Sequence, residues 1–299
     1  MDSIDAGAQV LGRRLAERLQ PDAGVVLAPG WASGFKSGNG LGAGGYSGGQ
    51  VQFGGQVVGT DQRVGDALVG VSLSKSRLDA GLEGIGGSAR SMVDEAAVYA
   101  GHRLGEGYVQ GRLATGRVNQ HVQRRLLLGR DLAGVASQYR AHYAAVDMEA
   151  GIDYRLGGLR LTPFVSGQWV QLDSDAFEES GAWGFGLRAD GQRREHRQAG
   201  VGVDMGRGWV DTRGFAHRFS GRLQWQHAFD ARDGIEASFV GLDASAPIAG
   251  AGIPRHRLSL GLGLESSLGR HGLFELTARQ VFGTEVRDAS QVSVGFRRA

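Results

Sequence analysis

His227 and Asp230, close together in "QHAFDARD", could serve as an acid-base pair, and eight histidines among many serines could supply a Ser-His-Asp relay. No H-E-x-x-H helix accompanies them, and the G-x-S-x-G match "GYSGG" at 45 to 49 lies inside a glycine-rich stretch rather than at a strand-to-helix elbow. His227 instead shares the parity of Trp225 and Phe229 on an alternating stretch, which marks a histidine near an interface. The glycine-rich stretch "SGNGLGAGGYSGGQ", residues 37 to 50, lacks the G-K-[ST] of a phosphate loop and reads as a flexible loop. "GQRREHRQAG", residues 191 to 200, is basic but carries no interleaved aromatics, so it makes a poor nucleic-acid surface. Glu178 and Glu179 in "FEES" could approach calcium, but nothing else in the sequence supports such a site. Cysteine is absent, which removes disulfides, thiolate metal sites and a Cys nucleophile. The residues therefore give no catalytic set, no cofactor and no metal.

Another spacing is more informative. In "DMEAGIDYRLGGLRLTPFVSGQW", residues 147 to 169, Asp147, Glu149 and Asp153 share one face of an extended chain, and Met148, Ala150, Ile152 and Tyr154 share the other. A water-soluble sandwich would bury the apolar face and leave the acids in solvent. A transmembrane barrel inverts that arrangement, with the apolar side toward lipid and the acids in a wet lumen. The same alternation places Arg112, Arg222, Gln224 and Gln226 opposite Leu113, Leu223, Trp225 and Phe229, and Glu275, Thr277 and Arg279 opposite Phe274, Leu276 and Phe282. Val292, Val294 and Phe296 likewise alternate with Ser293, Gly295 and Arg297. Such repetition favours the inverted arrangement.

The elements that must carry these residues follow from composition and period. The 299 residues include 52 glycines and only 5 prolines, with 8% aromatics and a mean hydropathy of −0.21. No apolar run approaches the roughly 20 residues of a membrane-spanning helix, whereas a barrel strand needs only about 10, half of them polar. Net charge is +2, carried almost wholly by arginine since Lys36 and Lys75 are the only lysines, so the basic balance argues no nucleic-acid partner. The first residues, "MDSIDAGAQV", lack the plan of a signal peptide, and an exported protein would then carry its leader elsewhere. Ile4, Ala8, Leu11, Leu15 and Leu19 recur at helical spacing and predict a helix from about Ser3 to Leu19, stopped by Pro21 and Gly24. Arg13, Arg14 and Arg18 sit toward its C-terminus, as the macrodipole favours, and its small face, Ala6, Gly7, Ala8 and Gly12, suits a narrow pore. Its length, about 25 to 30 Å, is roughly that of a bilayer core. Alternation thereafter predicts twelve strands near 25 to 34, 50 to 60, 63 to 77, 91 to 103, 107 to 119, 138 to 155, 158 to 173, 184 to 206, 214 to 229, 254 to 268, 272 to 283 and 289 to 299. Short turns and long connections alternate between them, the asymmetry of outer-membrane barrels.

The order of a helix, "GTDQRVGDALVGVSLSKS", "YAGHRLGEGYVQGRLATG", "YRLGGLRLTPFVSGQWVQLDSDAFEESGA", "FSGRLQWQHAFD", "LSLGLGLES" and a closing "VSVGFRRA" resembles the C-terminal translocator domain of autotransporters, the type V secretion family of Gram-negative bacteria. The most specific parts are the D-x-R-x-G-x-x-x-x-G segment at Asp61 to Gly70, "GLRLTPF" at Gly158 to Phe164, and L-x-W-x-H-x-F at Leu223 to Phe229. The resemblance covers essentially the whole chain. It implies an all-β fold, a twelve-stranded antiparallel transmembrane β-barrel with an N-terminal helix threading the lumen. Residues 1–22 would be the helix and linker, and 23–299 the barrel. Family members usually end in an aromatic residue read by the barrel-assembly machinery. This chain ends Arg297, Arg298, Ala299, so either Phe296 serves or the natural last residue is missing.

The function so implied is export of an N-terminal passenger to the cell surface from a barrel in the cell outer membrane, with the helix plugging the pore afterwards. Arg13, Arg14 and Arg18 would then face Asp147, Glu149 and Asp153, with Arg112, Arg222, Glu275 and Arg279 also lining the lumen. Expected partners are the passenger, outer-membrane lipid and lipopolysaccharide, and the barrel-assembly machinery, with the barrel a monomer and not itself an enzyme. Some relatives cut the passenger in the pore with lumen acids and a helix asparagine. Here Asn39 and Asn119 lie far from the helix, so that route is not expected. The other readings are a stand-alone outer-membrane barrel acting as an enzyme or adhesin through its long loops, and a passive pore.

Overall fold

The computed structural model describes residues 11, 12, 15, 30–41, 49–82, 86–230, 234–241, 245–249, 255–267, 272–283 and 289–298. Among them are twelve long strands: β1 (Gly30–Leu41), β2 (Gly49–Val64), β3 (Ala67–Leu82), β4 (Gly87–Leu104), β5 (Gly107–Leu128), β6 (Asp131–Ile152), β7 (Leu159–Ser174), β8 (Gln192–Val210), β9 (Ala216–Ala228), β10 (His256–Ser267), β11 (Gly272–Gly283) and β12 (Ala289–Arg298). Each pairs antiparallel with the next, and β12 returns to β1 through pairs running from Ala32↔Phe296 to Asn39↔Ala289. The ring is therefore closed and exposes no sheet edge, the condition for placing backbone amides in hydrocarbon.

The alternation of residue types explains which way each strand faces. Val98, Leu113, Met148, Val165, Val201, Leu223 and Leu260 stand on the outside, Leu113 at 56% exposure. Their neighbours Tyr99, Arg112, Phe164, Gln224 and Ser259 are buried inside. A continuous exposed apolar surface of this size marks a face that meets lipid. Ring stacks mark two levels of that face. Trp209 stacks on His217 at one end of β9, and Trp225 stacks on His227 near the other. From His217 to Trp225 the strand covers about 26 Å along its axis, about 20 Å in height at the roughly 35–45° tilt of such barrels, which is most of their roughly 25 Å apolar band.

All twelve expected strands overlap observed ones, and the discrepancies lie at the strand ends. The stretch 37 to 50, read as a loop, is strand at 37–41 and 49–50, because backbone pairing such as Ser37↔Phe53 and Asn39↔Val51 needs no side chain. The strands expected over 107 to 119 and from 138 extend to Leu128 and back to Asp131. There the 22-residue β5 and β6 overshoot the 12-residue β10 and β11, and one face of the overhang packs Leu126, Leu128, Ala133 and Val135 against Ala182 of the rim segment, so the alternation no longer follows lipid and lumen. The strand expected from 184 starts at Gln192. The residues before it join two later segments in a small sheet ordered 245–249, 234–239, 187–189, 177–178, set at the same rim as the overhang. At the opposite rim Gly65 and Gly105, at φ +60° and +63°, open two-residue turns that an L side chain would strain.

Of the helix expected over 3–19, Leu11, Gly12 and Leu15 are described. They are helical, and Leu11 and Leu15 are 0% and 1% exposed in one cluster with inward-facing Phe35, Phe53, Val57, Tyr99 and Tyr108. The rest of that segment, Arg13, Arg14 and Arg18 included, lies outside the described residues.

Candidate functional site in the lumen

Alternation puts the polar residues of adjacent strands on one inner wall, and register decides which of them meet. Arg112 of β5 stands directly opposite Asp147 of β6 and beside β4. Its Nε donates to Asp147 Oδ2 at 2.8 Å and its Nη1 to Glu95 Oε1 at 2.9 Å. The Tyr143 hydroxyl donates to Glu95 Oε2 at 2.7 Å, and Gln168 Nε2 donates to Asp147 Oδ1 at 2.6 Å. One buried guanidinium thus organises a network from β4 to β7.

Glu149, two residues on, collects donors from farther away. The Tyr108 hydroxyl reaches Oε1 at 2.8 Å, Gln110 Nε2 reaches it at 2.9 Å, and Arg222 of β9 bonds Oε2. Arg222 also donates to Asp204 Oδ2 at 2.9 Å and lies 3.8 Å over the Phe164 ring. It therefore ties β6 to β9 across two intervening strands. Gln110 Nε2 also donates to the Gly12 carbonyl at 3.1 Å, which joins the helical residues to the network. Asp153, nearer the rim, accepts from Arg103 at 2.8 Å and from the Thr162 hydroxyl at 2.6 Å. A separate cluster on β1 to β4 links the Trp31 indole to the Tyr99 hydroxyl at 3.0 Å, and that hydroxyl to Asp61 Oδ2 at 3.0 Å.

Arg112, Asp147, Glu149, Asp153 and Arg222 are thus brought together along one side of the wall. Arg279 faces inward on β11 and donates to the Ser259 hydroxyl at 3.0 Å. Glu275 sits half-buried on the same strand, opposite Glu265 of β10. The described cationic partners of the three acids are the wall arginines Arg112, Arg222 and Arg103, none of them paired with these acids by sequence reading alone. Arg103 and Glu95 carried the signal of inward parity on β4 but were not singled out. A cavity beside Gly12 and Leu15 is lined by the polar side chains of Gln168, Gln198, Arg160 and Arg222 together with Met205 and Leu262.

Among the described residues the candidate catalytic side chains pair elsewhere. Asp230 bonds Arg197 at 2.9 Å rather than His227. Glu179 holds Arg124 at 2.7 Å and the Leu187 amide at 2.7 Å, so its carboxylate serves the rim sheet. His217 does sit between Ser266, at 3.0 Å, and Asp211, at 3.4 Å. Ser266 lies within the β10 ladder, and the Arg213 and Phe215 amides are taken by Asp211, so these described amides are not available to hold an oxyanion.

The lumen and its wall match known proteins. The family model described as Autotransporter beta-domain matches residues 30–277. Among solved structures, the translocator domain of the autotransporter NalP from Neisseria meningitidis aligns with a TM-score of 0.73 at 16% identity, covering 99% of this chain and 97% of that one. The beta domain of the Bordetella autotransporter BrkA gives 0.64 at 17% identity, with 90% and 98% covered. The transport unit of the autotransporter AIDA-I from Escherichia coli gives 0.61 at 13%, with 98% of each chain covered. No curated protein matches by sequence.

Proposed function

This chain belongs to the family of autotransporter beta-domains, and on that footing we propose that its inner-wall ion network holds the N-terminal helix in the pore once a passenger has crossed. As a member it is an outer-membrane translocator domain, and the family implies a passenger N-terminal to the barrel. Barrels of this family are not themselves catalytic. The observation that carries the proposal is the bond from Gln110 to the Gly12 carbonyl, with Gln110 held by Glu149 and Glu149 by Arg222. A helix backbone fixed at one carbonyl and packed at Leu11 and Leu15 fills one side of the lumen and leaves the cavity on the other. Residues 1–22 then act as helix and linker, and 23–299 as a monomeric barrel. Arg13, Arg14 and Arg18 add cationic contacts to the wall. The barrel-assembly machinery inserts the barrel, and lipopolysaccharide surrounds its outer rim.

Deleting residues 1–22 tests the proposal in planar bilayers. Single-channel conductance rises several-fold if the helix fills the lumen, while the unheated protein keeps its fast gel mobility as a folded barrel. Unchanged conductance from a folded deletion variant would overturn the plug. Neutralising Asp147, Glu149 and Asp153 together leaves passenger processing unaltered, since no asparagine lies in residues 1–22 to complete a self-cleaving site.

A further inference from the structure

On the outer face of the barrel, where the 229–255 connection leaves β9 and re-enters at β10, His227 and His256 stand directly opposite each other. Their Nδ1 atoms are 3.4 Å apart and their ring centroids 4.8 Å apart. That separation is long for a well-formed hydrogen bond between ring nitrogens. It is the spacing of two imidazoles on one tetrahedral ion, because bonds of 2.0–2.1 Å at the tetrahedral angle put the nitrogens about 3.3–3.4 Å apart. Aromatic neighbours hold the rings. Trp225 stacks at 6.2 Å from His227 and 5.6 Å from His256, and Phe229 meets His227 edge-on at 5.0 Å. Among the described residues no third histidine or carboxylate completes a cluster.

We propose that His227 and His256 form a two-histidine site for a borderline divalent cation, Zn²⁺, Ni²⁺ or Cu²⁺, on the outer rim of the barrel. Imidazole nitrogen suits these ions, whereas Mg²⁺ and Ca²⁺ require oxygen donors, so the site takes the former in the presence of the latter. A cation bound there clips the start of β10 to the end of β9 across the long connection between them.

Titration calorimetry of ZnCl₂ into the folded, tag-free barrel in detergent tests this. One ion binds per barrel, excess Mg²⁺ does not compete, and His121→Gln leaves binding unaltered. Changes to groups that merely support a ligand already cost metal affinity roughly ten- to a hundred-fold, so His227→Gln or His256→Gln weakens binding at least about ten-fold. Equal affinity in wild type and the double variant, or no binding by wild type, overturns the proposal. Cu²⁺ electron paramagnetic resonance of the wild-type barrel decides it independently of any variant. Coupling to two equivalent nitrogens is expected, and coupling to one or none overturns the site.

Discussion

Removing Arg112 strands two carboxylates at once, and the structure sets the size of the loss. Its side chain is 3% exposed and that of Glu95 4%, so this pair is desolvated, whereas Asp147 retains 21% exposure. Breaking a buried pair by deleting one partner costs about 3–5 kcal/mol, most of it the uncompensated charge. Here the survivors are not naked. Glu95 keeps the Tyr143 hydroxyl, and Asp147 keeps Gln168 and gains water. Arg112→Met is therefore expected at the low end, about 3 kcal/mol, equivalent to roughly 6 °C at about 2 °C per kcal/mol for a chain of this size.

The assay is the fraction of fast-migrating band that survives incubation at rising temperature before an unheated gel. A triple variant, Glu95→Gln, Arg112→Met and Asp147→Asn, removes the stranded charges and regains more than half of the loss, since replacing a whole buried ionic cluster is far less costly than halving it. If Arg112→Met melted within about 2 °C of wild type, or the triple variant melted below the single one, the buried-network account would fail.

Other perturbations probe other parts of the wall. A Cβ at Gly70 would stand 2.4 Å from the Tyr99 ring, so Gly70→Ala displaces the hydroxyl that holds Asp61 and Trp31 and costs about 1–3 kcal/mol in the same melting assay. Leu113 faces lipid, and Leu113→Arg costs about 2–4 kcal/mol in urea unfolding from vesicles if the outer apolar surface is a membrane face. Asp211 lies in the turn after β8, and the Phe215 amide first, then His217 and the Arg213 amide, hold its carboxyl below the usual range. A folded pKa below the unfolded value of about 3.9 means the turn is stabilised above about pH 4 and loses that contribution as pH falls through the folded value. Carboxyl NMR titration of Asp211 should show this depressed midpoint, and Asp211→Asn should abolish the associated change in turn amide shifts.

The strand content was legible wherever one face meets lipid and the other water, because only there does the environment alternate with each residue. Where β5 and β6 rise clear of that zone, "NQHVQRRLLL" alternates less strictly, and the expected strand stops at 119 although pairing runs on to Leu128↔Asp131. Partner choice was not legible at all. Parity says that Arg112 and Asp147 both face inward, but their meeting depends on the register of β5 against β6, and the meeting of Arg222 with Glu149 depends on the curvature of four strands. The His227–His256 pair is likewise invisible to periodicity, since 28 residues separate its two members between the paired numbers 227 and 256.

These pairings also bear on how such a wall can serve a moving chain. Charged side chains in a lumen would cling to whatever passes unless they are already satisfied. Here Asp147, Glu149 and Asp153 bond arginines from β5, β9 and β4 of the wall itself, and the second oxygens of Asp147 and Asp153 are taken by Gln168 and Thr162. The attachment to the helical residues runs through a neutral amide, Gln110, to a neutral carbonyl, that of Gly12. A single neutral hydrogen bond contributes only about 0.5–1.5 kcal/mol, against several for a buried charge pair. The strong bonds therefore close the barrel on itself, and the polar bond that joins the described helical residues to the wall is a single neutral one.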